Sequence, residues 1–206
     1  MSIINKIRES DISILNIEHD IQNCQDCPLY KDRKYSVPGL GSSVADIMMI
    51  GEGPGFHENN QGKPFVGPAG IFLDELLSSI YMIREDIFIT NILKCRAPKN
   101  RDPLVYEIQS CNKHLDKQIK VINPALIVTL GRFSTAKFLP RISITDARGK
   151  LYTVHGRFVF PIFHPAASLY DTTKKPRIQQ DFNRIPDILQ KSIIPVAPVS
   201  IQGTLF

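Results

Sequence analysis

The chain has 206 residues, which is long enough for one domain with a full hydrophobic core. Its composition, 43% hydrophobic and 22% charged, is that of a globular protein and not of a disordered one. No apolar run reaches the roughly 18 residues that span a bilayer, and the start, MSIINKIRESD, lacks the apolar core of a signal peptide. We therefore expect an intracellular, cytoplasmic protein. Its net charge of +5 and pI near 9.0 suit an anionic partner such as nucleic acid, without identifying one.

The segment 2–23 carries isoleucines at three-, four- and seven-residue steps, which predicts an amphipathic helix. This segment leads into Cys24-Gln25-Asp26-Cys27, a C-x-x-C pair, and Pro28 prevents a helix from continuing through it. Taken alone, the pair is compatible with metal ligation, redox chemistry or chance.

The whole cysteine set indicates one site. An intracellular chain with four cysteines, two of them in a C-x-x-C pair, favours a single four-thiolate site formed by Cys24, Cys27, Cys95 and Cys111. The spacing C-x2-C-x67-C-x15-C lacks the second pair of a zinc ribbon and the compact run of a ferredoxin. Thiolates gathered from across the fold favour an iron–sulfur cluster. The alternative is four buried thiols that act as small hydrophobic side chains.

The stretch Gly51–Gly70, which is rich in glycine and proline, follows an apolar run at 46–50 and precedes an apolar helical pattern. A loop between the C-terminal end of a strand and a helix is where open α/β sheets bind ligands. It contains an acid, an imidazole and an aromatic ring, at Glu52, His57 and Phe65. We expect these side chains to form a small pocket with polar edges, although an ordinary connecting loop is the alternative.

The β-rich run 87–92 predicts a buried strand with Asn91 near its end. An amide there can donate and accept hydrogen bonds, which suits the edge of an imide or a base; a turn or cap residue is the alternative. A basic cluster follows, which consists of Lys94, Arg96, Lys99 and Arg101. Such a run of charges is usually a solvent-exposed face.

The second half of the chain continues the alternation of strands and helices. Asp102-Pro103 predicts an N-cap and the first position of a helix that carries Cys111 on its apolar face. A short apolar run at 125–130 predicts a parallel strand, and a hairpin strand is expected at 151–154. The last apolar run, at 158–163, leads into His164, which faces the ligand crevice unless it is a capping or core histidine.

Apolar runs separated by helical patterns predict a three-layer α/β/α sandwich with a central four-stranded parallel sheet. The predicted strands are 46–50, 87–92, 125–130 and 158–163. We expect a domain at 1–192 and a flexible C-terminal tail at 193–206, where the composition changes to proline, valine and serine.

Taken together, the motifs resemble the family 4 uracil-DNA glycosylases, and in particular those of archaea. The resemblance covers nearly the whole chain and rests on residues 51–55, 62–67, 69–70, 90–96, 130–131 and 164–166 and on the cysteine spacing. It implies the uracil-DNA glycosylase fold and a hydrolase that excises uracil from DNA in base excision repair. It also implies a structural [4Fe-4S] cluster on the four cysteines and a monomer that binds single- or double-stranded DNA.

By this resemblance, Phe65 stacks on the uracil ring, Asn91 reads its O4 and N3 edge, and His164 donates a hydrogen bond to O2. Glu52 positions the attacking water or stabilises the cation-like sugar. The backbone at Gly51 and Gly53 approaches the flipped nucleotide. DNA contacts are expected from the basic cluster, with Leu169 or Tyr170 as a wedge.

Two departures within the superfamily affect these roles. The best-known glycosylases have an aspartate directly after the position of Glu52, whereas this chain has Gly53, as family 4 members do, so the acid–base assignment is the least supported. The chain also lacks the arginine-rich, histidine-bearing insertion of a branch that forms a covalent DNA adduct. The resemblance therefore implies ordinary turnover.

The last five residues resemble the peptide by which archaeal repair proteins bind the sliding clamp, with Gln202, Leu205 and Phe206 as anchors, although the usual second aromatic residue is missing. A disordered or internally packed tail is the alternative. Two other functions compete with the enzyme: a non-catalytic iron–sulfur DNA-binding module of the same fold tethered to the clamp, and a redox protein built on the cysteines. The complete set of pocket residues favours the enzyme.

Overall fold

The structure, a computed structural model, describes residues 3–193, with side chains described for 9–192. The helices are α1 (Ile3–Gln22), α2 (Phe56–Gln61), α3 (Pro68–Ser79), α4 (Val105–Ile122), α5 (Arg132–Phe138), α6 (Ile144–Ala147), α7 (Ala167–Tyr170), α8 (Lys175–Phe182) and α9 (Ile185–Ile193). The strands are β1 (Leu40–Gly41), β2 (Ile47–Gly51), β3 (Phe88–Asn91), β4 (Leu126–Leu130), β5 (Tyr152–Val154) and β6 (Arg157–Ile162). None of the helices within this range has the length and apolar character needed to cross a membrane.

The strands form one mixed sheet in the order β1-β3-β2-β4-β6-β5. The four central strands, β3, β2, β4 and β6, are parallel, which confirms the predicted parallel sheet as the centre of the fold. Two antiparallel edge strands correct the predicted strand number, because β1 pairs with β3 and β5 pairs with β6. The hairpin strand β5 was expected. A two-residue strand such as β1 is too short to show the periodicity from which strands are predicted.

Helices cover both faces of the sheet, as the predicted sandwich requires. Successive side chains of a strand point to opposite faces. Ile47 and Met49 accordingly join an apolar cluster with residues of α3, α8 and α9, whereas Met48 and Ile50 join a second cluster with residues of α4. Because the central strands are buried on both faces, their sequences are continuous apolar runs.

The start of α4 differs from the prediction. The helix begins at Val105, with Leu104 as its N-cap, rather than at Asp102-Pro103. The carboxylate of Glu107 accepts the backbone N–H of Leu104 at 2.8 Å, which satisfies a donor at the helix start. Asp102 is left free to form an ion pair with Arg132, with an N–O distance of 2.5 Å.

Candidate active site

Side chains that follow the C-terminal ends of three parallel strands meet in one open cleft. Glu52 follows β2, Asn91 ends β3 and His164 follows β6, while Phe65 comes from the loop between α2 and α3. All four line a cleft of about 810 Å³, a volume typical of small-ligand sites. The structure therefore brings together the pocket residues that the sequence indicated.

Gly51 lies at the point where the amide of Asn91 meets the ring of Phe65. Gly51 and Asn91 are register partners at the ends of β2 and β3. A Cβ atom on residue 51 would lie 2.4 Å from Asn91 Oδ1 and 2.8 Å from Phe65 Cζ. Only glycine leaves room for this arrangement. The amide and the aromatic face are therefore held side by side at the base of the cleft.

The imidazole of His164 is neutral and has a defined tautomer. Its Nδ1 accepts the backbone N–H of Ala166 at 3.1 Å, which assigns the ring proton to Nε2. Burial lowers the pKa of His164 to about 4, so the ring carries no charge at neutral pH. His164 can therefore offer an Nε2–H donor to a ligand in the cleft.

Glu52 is partly buried in the wall of the cleft. Burial raises the pKa of its carboxyl group, the negative charge of Asp102 raises it further, and the guanidinium of Arg132 opposes both effects. The ion pair between Asp102 and Arg132 thus lies close enough to affect the pKa of this carboxyl group. The sequence pattern does not reveal this pair, because the two residues are 30 positions apart.

Exposed and partly exposed cations lie around the cleft. Arg101, Arg132, Lys174 and Arg177 contribute to its lining, and Tyr170 projects beside them with 92% of its surface exposed. Leu169, the other predicted wedge residue, is 51% exposed on the same short helix, α7. Lys174 and Arg177 were missed because they start an ordinary helical pattern and their contribution to the cleft depends on tertiary packing.

The structure does not support a DNA contact for Lys94. The side chain is 1% exposed, and its ammonium donates to Thr90 Oγ1 at 2.5 Å, to the Asn91 carbonyl at 2.8 Å and to Gln118 Oε1 at 2.7 Å. These acceptors stabilise the ammonium inside the protein. Burial has the opposite effect and lowers the pKa of Lys94 to about 7. The Lys94 side chain therefore stabilises the end of β3 and does not face solvent.

The other members of the basic cluster remain accessible to different degrees. Lys99 is exposed. Arg96 donates to Asn100 Oδ1 at 2.8 Å, and its guanidinium carbon lies 5.4 Å from the centre of the Phe56 ring. Arg101 pairs with the buried carboxylate of Glu107 at 2.6 Å.

The four cysteines line a second, separate cavity between the end of α1, the middle of α4 and the segment after β3. All four are free thiols, and the guanidinium of Arg33 donates to Cys95 Sγ at 3.2 Å. His114 also lines this cavity, and its two ring nitrogens are buried without a hydrogen-bond partner. The cavity thus gathers four sulfur donors and an unpaired polar group within the described chain.

The distances within this cavity disfavour a single zinc ion held by the cysteines. Zn–S bonds of about 2.3 Å place tetrahedral sulfur ligands about 3.8 Å apart. Within the described residues, the group of potential ligand atoms that lies within 4.8 Å consists of Cys24, Asp26 and His114, and no three cysteine sulfurs form such a group. The four thiols are therefore spaced more widely than one zinc ion requires.

His57 is exposed on α2, and the imidazole in the cleft comes from His164, the histidine to which the resemblance assigns this role. The tail anchors Gln202, Leu205 and Phe206 lie outside the described residues.

The fold and the cleft define an α/β protein whose candidate site combines an aromatic ring, an amide and an imidazole donor with nearby cations. The family model of the uracil-DNA glycosylase superfamily matches residues 38–185. A type-4 uracil-DNA glycosylase of Saccharolobus solfataricus is 42% identical over 200 residues, which cover 92% of this chain and 90% of that protein. Type-4 enzymes of Archaeoglobus fulgidus and Thermotoga maritima are 41% and 37% identical, over 87% and 85% of this chain and 94% of each relative. The chain belongs to the type-4 uracil-DNA glycosylases, which confirms the resemblance inferred from its motifs.

Proposed function

We propose that this protein excises uracil from DNA by hydrolysing the N-glycosidic bond and thereby initiates base excision repair. One observation carries the proposal: the neutral Nε2–H donor of His164, the amide of Asn91 and the ring of Phe65 converge on one cleft. Membership in the type-4 family supports the same activity.

Base recognition follows from the chemistry of the cleft. The target nucleotide rotates out of the DNA stack, because its glycosidic bond is inaccessible inside a duplex. The uracil ring stacks on Phe65, and the Asn91 amide pairs with O4 and N3–H. Asn91 is 2% exposed and packed against Gly51, so it is held in one orientation for this contact. Cytosine presents a donor where uracil has O4, and thymine carries an additional methyl group.

The chemical step separates charge, and the cleft stabilises both ends. As the C1′–N1 bond breaks, its electron pair moves onto uracil, and the His164 Nε2–H donates to O2 where negative charge develops. The sugar becomes cation-like, and the Glu52 carboxylate stabilises it and orients a water molecule. The water oxygen forms the new bond to C1′, and its proton passes to the carboxylate or to the departing uracil anion. The products are free uracil and an abasic site.

DNA binding is assigned to the exposed and partly exposed cations around the cleft. Arg101, Arg132, Lys174 and Arg177 surround the pocket, and Lys99 extends the charge beyond it. Cations at these positions bind phosphates and impose no sequence preference. The exposed side chains of Leu169 and Tyr170 can fill the space that the rotated nucleotide leaves in the stack.

We assign a [4Fe-4S] cluster to Cys24, Cys27, Cys95 and Cys111. The common cavity, the spacing too wide for one zinc ion and the unpaired nitrogens of His114 fit this group. When bound, the cluster supplies iron–thiolate bonds that tie α4 to the segments around Cys27 and Cys95. Cysteines that ligate a cluster and form no disulfides suit a reducing compartment such as the cytoplasm, and we propose that the protein acts as a monomer. Conversion of Cys111 to serine should bleach the visible absorbance and destabilise the fold.

The tail is assigned to the sliding clamp on its sequence alone. Deletion of residues 200–206 should abolish capture by the clamp in a pull-down while sparing excision on short oligonucleotides. Unchanged clamp binding would refute this part of the proposal.

The proposed activity is tested by incubation with a duplex that contains one U·G pair, followed by alkali. Strand cleavage that depends on both uracil and protein is expected, and a T·G duplex serves as the matched control. Protein with intact visible absorbance that leaves the U·G strand uncut would favour the alternative, a non-catalytic iron–sulfur DNA-binding module of the same fold.

A further inference from the structure

The backbone of Phe65 adopts an unusual conformation. Its φ angle is +52°, in the left-handed region that non-glycine residues seldom occupy. Such a conformation costs free energy and persists only where surrounding contacts hold it. The orientation of the aromatic ring therefore depends on the groups that fix this part of the loop.

A carboxylate from α2 holds the loop through its N–H groups. Glu58 Oε1 accepts from the backbone of Val66 and of Gly67, each at 2.9 Å. Glu58 Oε2 accepts from the backbone of Gly55 at 3.1 Å. One side chain thus joins the beginning of the central loop to the residues that directly follow Phe65.

A guanidinium from the turn before β3 holds the same loop through its carbonyl groups. Arg84 Nη1 donates to the Pro64 carbonyl at 3.1 Å, and Nη2 donates to the Phe65 carbonyl at 2.5 Å and to the Gly70 carbonyl at 3.2 Å. Its Nε donates to Asp74 Oδ1 at 2.5 Å, which orients the guanidinium.

The two side chains hold the peptide group between residues 65 and 66 from both ends. Its carbonyl accepts from Arg84, and its N–H donates to Glu58. Rotation of this peptide would break both charge-assisted hydrogen bonds, which are stronger than neutral ones. The packing leaves little freedom, since a Cβ on Gly70 would lie 1.8 Å from the Phe65 carbonyl oxygen.

We propose that Arg84 and Glu58 are positioning residues that hold Phe65 as the stacking surface for the base, an inference that rests on the proposed function. Neither the base nor the reacting bond needs to touch Arg84. Its effect on excision passes through Phe65, because misplacement of a contact by about 1 Å can cost about 100-fold in rate. The charge pattern of the sequence does not reveal this role, since Arg84 lies 19 residues from Phe65.

A double-mutant cycle tests this coupling. Arg84→Met, Phe65→Leu and the double variant are compared by single-turnover excision of uracil at saturating protein. We expect Arg84→Met to lose about 100-fold and to lose little more in the Phe65→Leu background. Arg84→Lys should recover part of the rate. Asp74→Asn, which leaves the carbonyl contacts of Arg84 in place and keeps a side-chain oxygen as acceptor for Nε, should lose much less than Arg84→Met. Independent, multiplicative losses would overturn the proposal.

Amide hydrogen exchange provides a readout that does not depend on activity. Glu58→Gln should increase the exchange rates of the Val66 and Gly67 amides and leave those of the central strands unchanged. Unchanged exchange at both amides would contradict the proposal. Absence of excision by the wild-type protein would instead refute the proposed function. The exchange data would still test whether Glu58 holds the loop at Phe65.

Discussion

The imidazole of His164 stacks against the phenyl ring of Phe65, with their centroids 5.4 Å apart and their planes at 22°. A base inserted between two rings needs a separation of about 7 Å, twice the stacking distance in DNA. The two side chains therefore do not sandwich the uracil. In the proposed mode of binding, Phe65 supplies a face for stacking, and His164, whose Nδ1 accepts the N–H of Ala166, directs its Nε2–H towards the edge of the base.

Replacement of His164 by alanine removes this donor. We expect the rate of uracil excision under single-turnover conditions to fall by about 10²- to 10³-fold, as for loss of one donor at a developing oxyanion. His164 lines the cleft and the four cysteines line a different cavity, so the visible absorbance should persist. Loss of that absorbance together with activity would assign His164 a structural role.

The acid limb of the pH–rate profile should report the ionisation of Glu52. In the proposed mechanism the carboxylate is the active form, so excision should fall as the pH drops through the pKa of Glu52, which burial and Asp102 raise and Arg132 lowers. Asp102→Asn should therefore move the limb to lower pH and Arg132→Gln to higher pH. The pKa of His164, about 4, keeps that ring neutral over most of the range.

Single-turnover rates at saturating protein separate this effect from changes in DNA affinity, which Arg132→Gln also affects. Shifts in the same direction for both variants, or no shift in either, would show that Glu52 does not set the limb.

The sequence was sufficient for features that depend on periodicity and strand ends. The central strands are continuous apolar runs, and Asn91 and His164 were placed correctly because strand ends in parallel sheets face the ligand crevice. Lys94 was misjudged because a charge run does not reveal which member turns inward. Glu58 and Arg84 were missed because their partners are backbone groups, which no side-chain pattern encodes.

Alanine at position 51 should disrupt the pocket itself. The added Cβ would displace either the Asn91 amide or the Phe65 ring, since it would lie within 2.8 Å of both. Excision should fall by about 100-fold or more, and overpacking should lower the free energy of unfolding by about 1–3 kcal/mol. Gly53→Ala is the matched comparison for stability alone, because its Cβ would meet Leu93 at an ordinary 3.4 Å. Equal losses of stability in both variants would contradict this steric account.

Lys94 and Lys99 should differ in the salt dependence of DNA binding. The affinity for DNA falls with salt by about 0.9 logarithmic units per phosphate contact for each tenfold increase in concentration. Lys99 is exposed, so Lys99→Ala should reduce the slope by about 0.9. Lys94→Met should leave it unchanged, because the buried ammonium contacts Thr90, Asn91 and Gln118 instead of phosphate.

The cost of Lys94→Met should appear in stability instead. The methionine leaves the Asn91 carbonyl and Gln118 Oε1 without the ammonium donor, and one unsatisfied buried group costs about 1–3 kcal/mol. Denaturant titration should show a loss of about that size for Lys94→Met and almost none for the exposed Lys99→Ala. A reduced salt slope for Lys94→Met, with unchanged stability, would indicate that Lys94 contacts DNA.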